Sequence, residues 1–123
     1  MKLKPKDIPV LREKLAKEQG NRCRLCDVDL SIVVACLDHD HTNGRIRAVL
    51  CGNCNGIEGK IFNLARRAKR KSTAIDFINQ IKNYWVNFTD NPRQEIHPSH
   101  KSPDEKRIAR NKKARERRRK NKC

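Results

Sequence analysis

Aromatic side chains are almost missing from this sequence: three Phe, one Trp and one Tyr make up 4% of 123 residues, and apolar residues together reach 36%. Burial on that scale hardly offsets the entropy of ordering a chain, so a metal or a partner subunit is expected to help hold the fold. Long apolar runs are also missing. The longest, Ile32 to Leu37, falls far short of the roughly twenty residues that a spanning helix needs, and no membrane crossing is expected. Met1-Lys2-Leu3-Lys4-Pro5-Lys6 carries charge with no apolar stretch behind it, so a secretory signal is not expected and the setting is read as reducing and intracellular. Acids are in deficit: fourteen Asp and Glu face thirty Lys and Arg, giving +16 and a pI near 10.1. Such an excess calls for a polyanionic partner, nucleic acid ahead of a membrane surface.

Periodicity and punctuation lay out a small, mostly helical α+β chain without internal repeats. Asp7 is placed to cap a helix over 7–19, with Ile8, Leu11 and Leu15 on one stripe and Gly20 as the stop. Ile32 to Asp38 reads as a buried strand, Asn43-Gly44 as a tight hairpin turn, and Ile46 to Leu50 as the returning strand. Asn55 to about Arg70 is expected to be helical, with Ile57, Ile61, Leu64 and Ala65 inward. Thr73 with Asp76 three residues on opens a further helix carrying Ile75, Ile78, Ile81 and Trp85, and Asn91-Pro92 closes it. Residues 1–98 are read as one domain. Residues 99–123 are read as a basic tail, without regular structure on its own, because from Lys101 onward it has twelve Lys and Arg, three acids and no apolar period.

Cys23-x-x-Cys26 and Cys51-x-x-Cys54, with 24 residues between the pairs, form two knuckles able to complete a tetrahedral zinc site. Two disulfides or a redox pair are the alternatives, disfavoured in a reducing setting. Cys36 reads as a small core residue and Cys123 as exposed.

Between the knuckles, Leu37-Asp38-His39-Asp40-His41 sets four ionisable residues at a strand end. Phosphodiester hydrolysis needs a base near neutral pH and a divalent cation to stabilise charge on the phosphate. Histidine suits the base, whereas a hard cation such as Mg2+ or Mn2+ prefers the oxygens of Asp38 and Asn55. Asn55 could instead cap the following helix, Asp40 could be a turn residue, and Glu58 an exposed helical acid. A rival metal scheme puts His39 and His41 on the zinc in place of two cysteines.

Taken with Gly44-Arg45-Ile46-Arg47-Ala48-Val49-Leu50-Cys51 and Cys54-Asn55, these motifs make the chain resemble the phage recombination endonuclease VII family, closely over residues 8–60 and more loosely through Tyr84-Trp85 to Ile96-His97-Pro98. The resemblance implies a ββα-metal (His-Me finger, HNH) fold stapled by zinc, and an enzyme that cuts Holliday junctions and other branched DNA with one magnesium per site. It implies Asp38 and Asn55 as metal ligands, His39 as general base, His41 against the phosphate, and Glu58 as an acid one helical turn beyond the Asn. Symmetric resolution of a junction needs two sites related by a two-fold axis, so a homodimer is expected, with helices 7–19 and 73–87 as candidate surfaces. A phage origin would place the protein in the cytoplasm of a bacterial host.

Arg45, Arg47, Lys60, Arg66, Arg67 and Arg70, with Lys69 and Lys71, are the expected contacts to a phosphate backbone. Two other functions remain open: an HNH nicking or homing enzyme on duplex DNA, and a non-catalytic zinc module that binds nucleic acid, RNA included.

Overall fold

The computed structural model describes residues 1–68, 70 and 73–122. Its elements in chain order are α1 (Asp7–Glu18), β1 (Ala35–His39), β2 (Ile46–Cys51), α2 (Gly52–Ala65), α3 (Ala74–Asp90) and α4 (Pro103–Asn121). The small α+β architecture expected from the sequence is therefore present, with two antiparallel strands followed directly by a helix. Two compact units are distinguished, Met1–Ile81 and Lys82–Cys123. No helix among the described residues is long and apolar enough to cross a membrane.

The core of the first unit is small. Ala16, Leu30, Val49 and Leu50 are buried with the sulfur-bearing Cys23 and Cys51, and Leu15, Val28, Leu37 and Cys54 pack against them. One polar side chain ties α1 to this core. Gln19 donates from Nε2 to the carbonyls of Val49 and Arg22, both at 2.9 Å, and accepts from Val49 N–H at 2.8 Å. Because both sides of the β2 edge at Val49 are so satisfied, a backbone that faces the core leaves no orphan there. Gly20 (φ 65°) and Asn21 (φ 59°) then turn the chain sharply, and Asn21 N–H bonds Ala16 O at 2.7 Å to close the helix.

Several boundaries differ from the expectation, each for a physical reason. Asp7 is the first helical residue rather than the cap, and its carboxylate accepts from Lys4 N–H at 2.8 Å. Ile32, Val33 and Val34 stay outside β1 and exposed, because Ala35 pairs with Cys51 and beyond Cys51 the partner strand becomes a helix. The hairpin loop runs over 40–45 instead of closing tightly at Asn43-Gly44. Asp40 Oδ1 takes Thr42 N–H (2.8 Å) and Oγ1 (2.6 Å), Asn43 Oδ1 takes Arg45 N–H (2.9 Å), and Gly44 alone in that loop has positive φ, at 76°. Asp40 is thus the residue that organises the turn. Thr73 caps α3 as expected, its hydroxyl accepting from Asp76 N–H at 3.1 Å.

Residues 103–121 are helical, against the expectation of a tail without regular structure. Ser102 Oγ accepts from Glu105 N–H at 3.2 Å, Pro103 opens the helix, acids fill the first turn and Arg118, Arg119 and Lys120 the last. Strong helix formers supply the rest without any apolar face.

Candidate active site and metal centre

Cys23 and Cys26 lie on the turn that follows α1, Cys51 ends β2 and Cys54 falls in the first turn of α2. Their four sulfurs all lie within 4.8 Å of one another. Tetrahedral zinc with bonds of about 2.3 Å requires sulfurs about 3.8 Å apart. Cys26 and Cys51 Sγ are 3.7 Å apart, far beyond a disulfide bond of about 2.05 Å. The quartet contains no histidine, which removes the rival scheme with His39 and His41. Burial raises the Cys23 thiol, yet N–H groups of Cys26, Cys51 and Leu25 outweigh it and bring it down to about 6. Cys54 is pushed up to about 12, by the Cys26 side chain first and Cys51 next. Four thiolates cannot all ionise in this volume without a cation, and zinc fits the donor set.

The sulfurs also set where α2 begins. Cys51 Sγ accepts from Cys54 N–H at 3.4 Å and serves as the cap, so the helix starts at Gly52, not Asn55, and Asn55 is a first-turn residue rather than the cap. This start fixes the helix rotation. Asn55, Glu58, Gly59, Phe62 and Ala65 follow one stripe, spaced by three and four residues. Glu58, Phe62 and Ala65 on that stripe are covered, whereas Ile57, Ile61 and Leu64, expected inward, are exposed. Ala65 is buried as expected, but apolar periodicity misplaced the rest of the face because Asn55 and Glu58 share the inward stripe with Phe62 and Ala65.

Glu58 meets a cluster built by an irregularity in the sheet. Leu37 pairs with Val49 and His39 with Ile46, so Asp38 alone opposes Arg47 and Ala48. In a regular register Arg47 would lie opposite His39 and share its face; the extra residue turns it toward Asp38. Arg47 Nε then donates to Asp38 Oδ2 at 2.7 Å and Nη2 to Oδ1 at 3.1 Å, a two-pronged grip on a buried carboxylate. Nη2 also reaches Glu58 Oε1 at 3.0 Å, and hydrogen bonding to Asp38, then to Glu58, raises the Arg47 guanidinium above its ordinary range. Two acids share one guanidinium, leaving one negative charge uncompensated. Glu58 Oε2 is buried without a hydrogen-bond partner among the described residues. Oxygen donors, surplus negative charge and an unsatisfied buried oxygen fit a hard divalent cation.

The histidines lie around this cluster. His39 is exposed while Asp38 beside it is buried, as alternation along a strand dictates. The rings of His39 and His41 are 5.1 Å apart between centroids, and His41 lies 6.3 Å from Phe62. His41 Nε2 lies over Gly59 of α2, 3.8 Å from where a Cβ would stand, which is ordinary contact distance. His41, Arg47, Glu58 and Phe62 line one cleft of about 390 Å³, whereas His39 lines a separate hollow with Arg45 and Ile46. The structure thus brings together Asp38, Arg47 and Glu58, sets His41 in their cleft and His39 beside His41, and places Asn55 on the α2 stripe that carries Glu58.

Arg45 belongs to the loop, and Arg47 is engaged by two acids. Lys60, Arg66, Arg67 and Arg70 are exposed on or just after α2, with Arg66 Nε bonded to Asn63 Oδ1 at 3.1 Å. Lys69, Lys71 and Cys123 lie outside the described residues, and Cys36 is half-buried in β1. Two contributors escaped sequence reasoning: Gln19, for which no pattern exists, and Arg47 as the partner of two acids, which needed the bulge.

Two strands and a helix that meet at four clustered cysteine sulfurs, with acids and imidazoles gathered beside them, define a small α+β protein of ββα form with a candidate zinc site. The family model described as recombination endonuclease VII matches residues 4–87, and the chain belongs to that family. The family is one of nucleases that act on DNA, which makes this chain a DNA endonuclease by membership.

Proposed function

We propose that the protein is a metal-dependent endonuclease that hydrolyses phosphodiester bonds in branched DNA. The observation that carries this reading is the Asp38–Arg47–Glu58 cluster, one negative charge in surplus, with two imidazoles beside it. Asp38 and the amide oxygen of Asn55 would hold a magnesium or manganese ion, which when bound supplies charge stabilisation on the phosphate and the departing oxygen. Zinc at the four cysteines keeps β2 and α2 in register. Arg47 fixes both Asp38 oxygens in direction, and Glu58 holds Arg47 from the other side. His39, open to solvent, takes the proton from the attacking water, and His41 contacts the phosphate. A second assignment exchanges the histidines, favoured by the fact that His41 is the one lining the cleft with Glu58 and Arg47.

Symmetric cutting of a junction calls for two copies. The face of α3 carrying Ile75, Ile78 and Trp85 is apolar and exposed, which supports a homodimer through this helix. A reducing, intracellular setting, in which the four cysteines stay available to zinc, is part of this proposal.

Cleavage of a four-way junction and of linear duplex of the same sequence, in magnesium, tests the substrate. Faster cutting of the junction is expected. Equal rates would point to a duplex-nicking or homing activity, and no cutting in either would leave a zinc module that only binds.

A further inference from the structure

On α4, Lys106, Arg110, Lys113, Arg117 and Lys120 recur at intervals of four, three, four and three residues. At 3.6 residues per turn they fall within a sector of about 80°, and at 1.5 Å per residue they span about 21 Å. Asp104, Glu105 and Glu116 all fall outside that sector, and among the described residues none of the five basic side chains pairs with an acid. The remaining basic residues of the helix lie on the opposite side, with Glu105 and Glu116 on one flank between the two. Apolar contacts are few: Ile108, Ala109 and Ala114 point in three directions, and no α4 residue is buried. A helix lying on a lipid surface needs an apolar face, and one packing on a protein needs an apolar stripe; α4 has neither. A polar helix with cations on two opposed sides suits a channel walled by phosphates on both sides. The major groove of B-form DNA is about 12 Å wide and admits a helix of about 10–12 Å.

We infer that α4 is a duplex-docking helix, seated in the major groove of an arm of the substrate with the five-residue stripe along phosphates. The inference rests on DNA being the partner, as proposed above, and adds where and by what geometry the duplex is held. It differs from attraction by a flexible basic segment in requiring the helix itself.

Binding of the full zinc-loaded protein to a 30-bp duplex, without added magnesium, tests it separately from cleavage. Ala114→Pro keeps every charge and breaks α4; affinity is expected to fall at least tenfold, and an unchanged affinity overturns the inference. Ala114→Gly, a milder change, is expected to give a smaller loss of the same sign. Circular dichroism and zinc content of each variant exclude misfolding of the first unit. Replacing the five stripe residues by Gln should reduce the slope of log K against log salt by about 4, at about 0.9 per phosphate; a change below about 1 overturns it. Methyl green, which occupies the major groove, should displace the protein, and netropsin, in the minor groove, should not. Equal binding to an A-form RNA duplex, whose major groove excludes a helix, or preference for phosphatidylserine vesicles, also overturns it. Loss of cleavage with this pattern intact would sink the nuclease reading alone.

Discussion

Replacing Arg47 by Met removes the one cation that grips Asp38 among the described residues while keeping the length of the side-chain stem. Asp38 is buried at 5% exposure and both of its oxygens point at Arg47, at 2.7 and 3.1 Å. Breaking a fully buried pair costs about 3–5 kcal/mol; because the Arg47 side chain is 38% exposed, water screens part of this and about 1–3 kcal/mol is expected. In a domain this small each kcal/mol lowers the melting temperature by about 4–8 °C, so a loss of about 4–24 °C should be read by calorimetry of the zinc-loaded protein. The loss must belong to the pair. Asp38→Asn alone should also destabilise, while the double variant should lose less than the sum, with a coupling of about 1 kcal/mol or more. Additivity within about 0.5 kcal/mol, or an Arg47→Met protein that melts like wild type, would refute the idea that the bulge exists to bring Arg47 onto Asp38.

Zinc removal should unfold the first unit. Structural zinc contributes about 10–16 kcal/mol in small domains, more than the roughly 5–9 kcal/mol from burying Leu30, Val49 and Leu50; Cys54→Ser should therefore show neither full zinc content nor a cooperative melt. Metal retention should fall on acidification. Protons compete with zinc for the four thiolates, and Cys23, whose thiol is brought below its ordinary 9 to about 6 by surrounding N–H groups, is the last of them to be protonated. Released zinc should therefore rise steadily as the pH is lowered, and zinc retained unchanged into strong acid would contradict a thiolate site. Gln19→Leu strands the Val49 N–H and should cost about 1–3 kcal/mol with the zinc site intact, measured by urea melts. Trp85→Glu should turn a dimer into a monomer by light scattering; a wild-type protein already monomeric at working concentration would count against α3 as the interface.

The zinc quartet was legible because Cys-x-x-Cys turns are local and their chemistry is unambiguous, and α1, the hairpin and α3 followed from periodicity and capping. Two kinds of feature were not. The inward face of α2 defeats a pattern search, since Asn55 and Glu58 take positions that an ordinary helix gives to Ile57 and Ile61. The bulge opposite Asp38 is invisible because it depends on how two strands register, not on either strand alone. The helix at 103–121 was missed for a simpler reason. Ser102, Pro103 and Glu105 spell a helix start, but the absence of apolar spacing outweighed it, although a helix of strong formers needs no apolar face.

Nicking of supercoiled plasmid in magnesium or manganese bears most directly on the claim that this cluster performs hydrolysis. Wild type should convert plasmid to the open circle, His39→Ala should leave it supercoiled while still holding one zinc, and His41→Ala should be slowed but active. A zinc-loaded wild type that leaves plasmid untouched in either metal, or a His39→Ala protein as fast as wild type, would contradict the account.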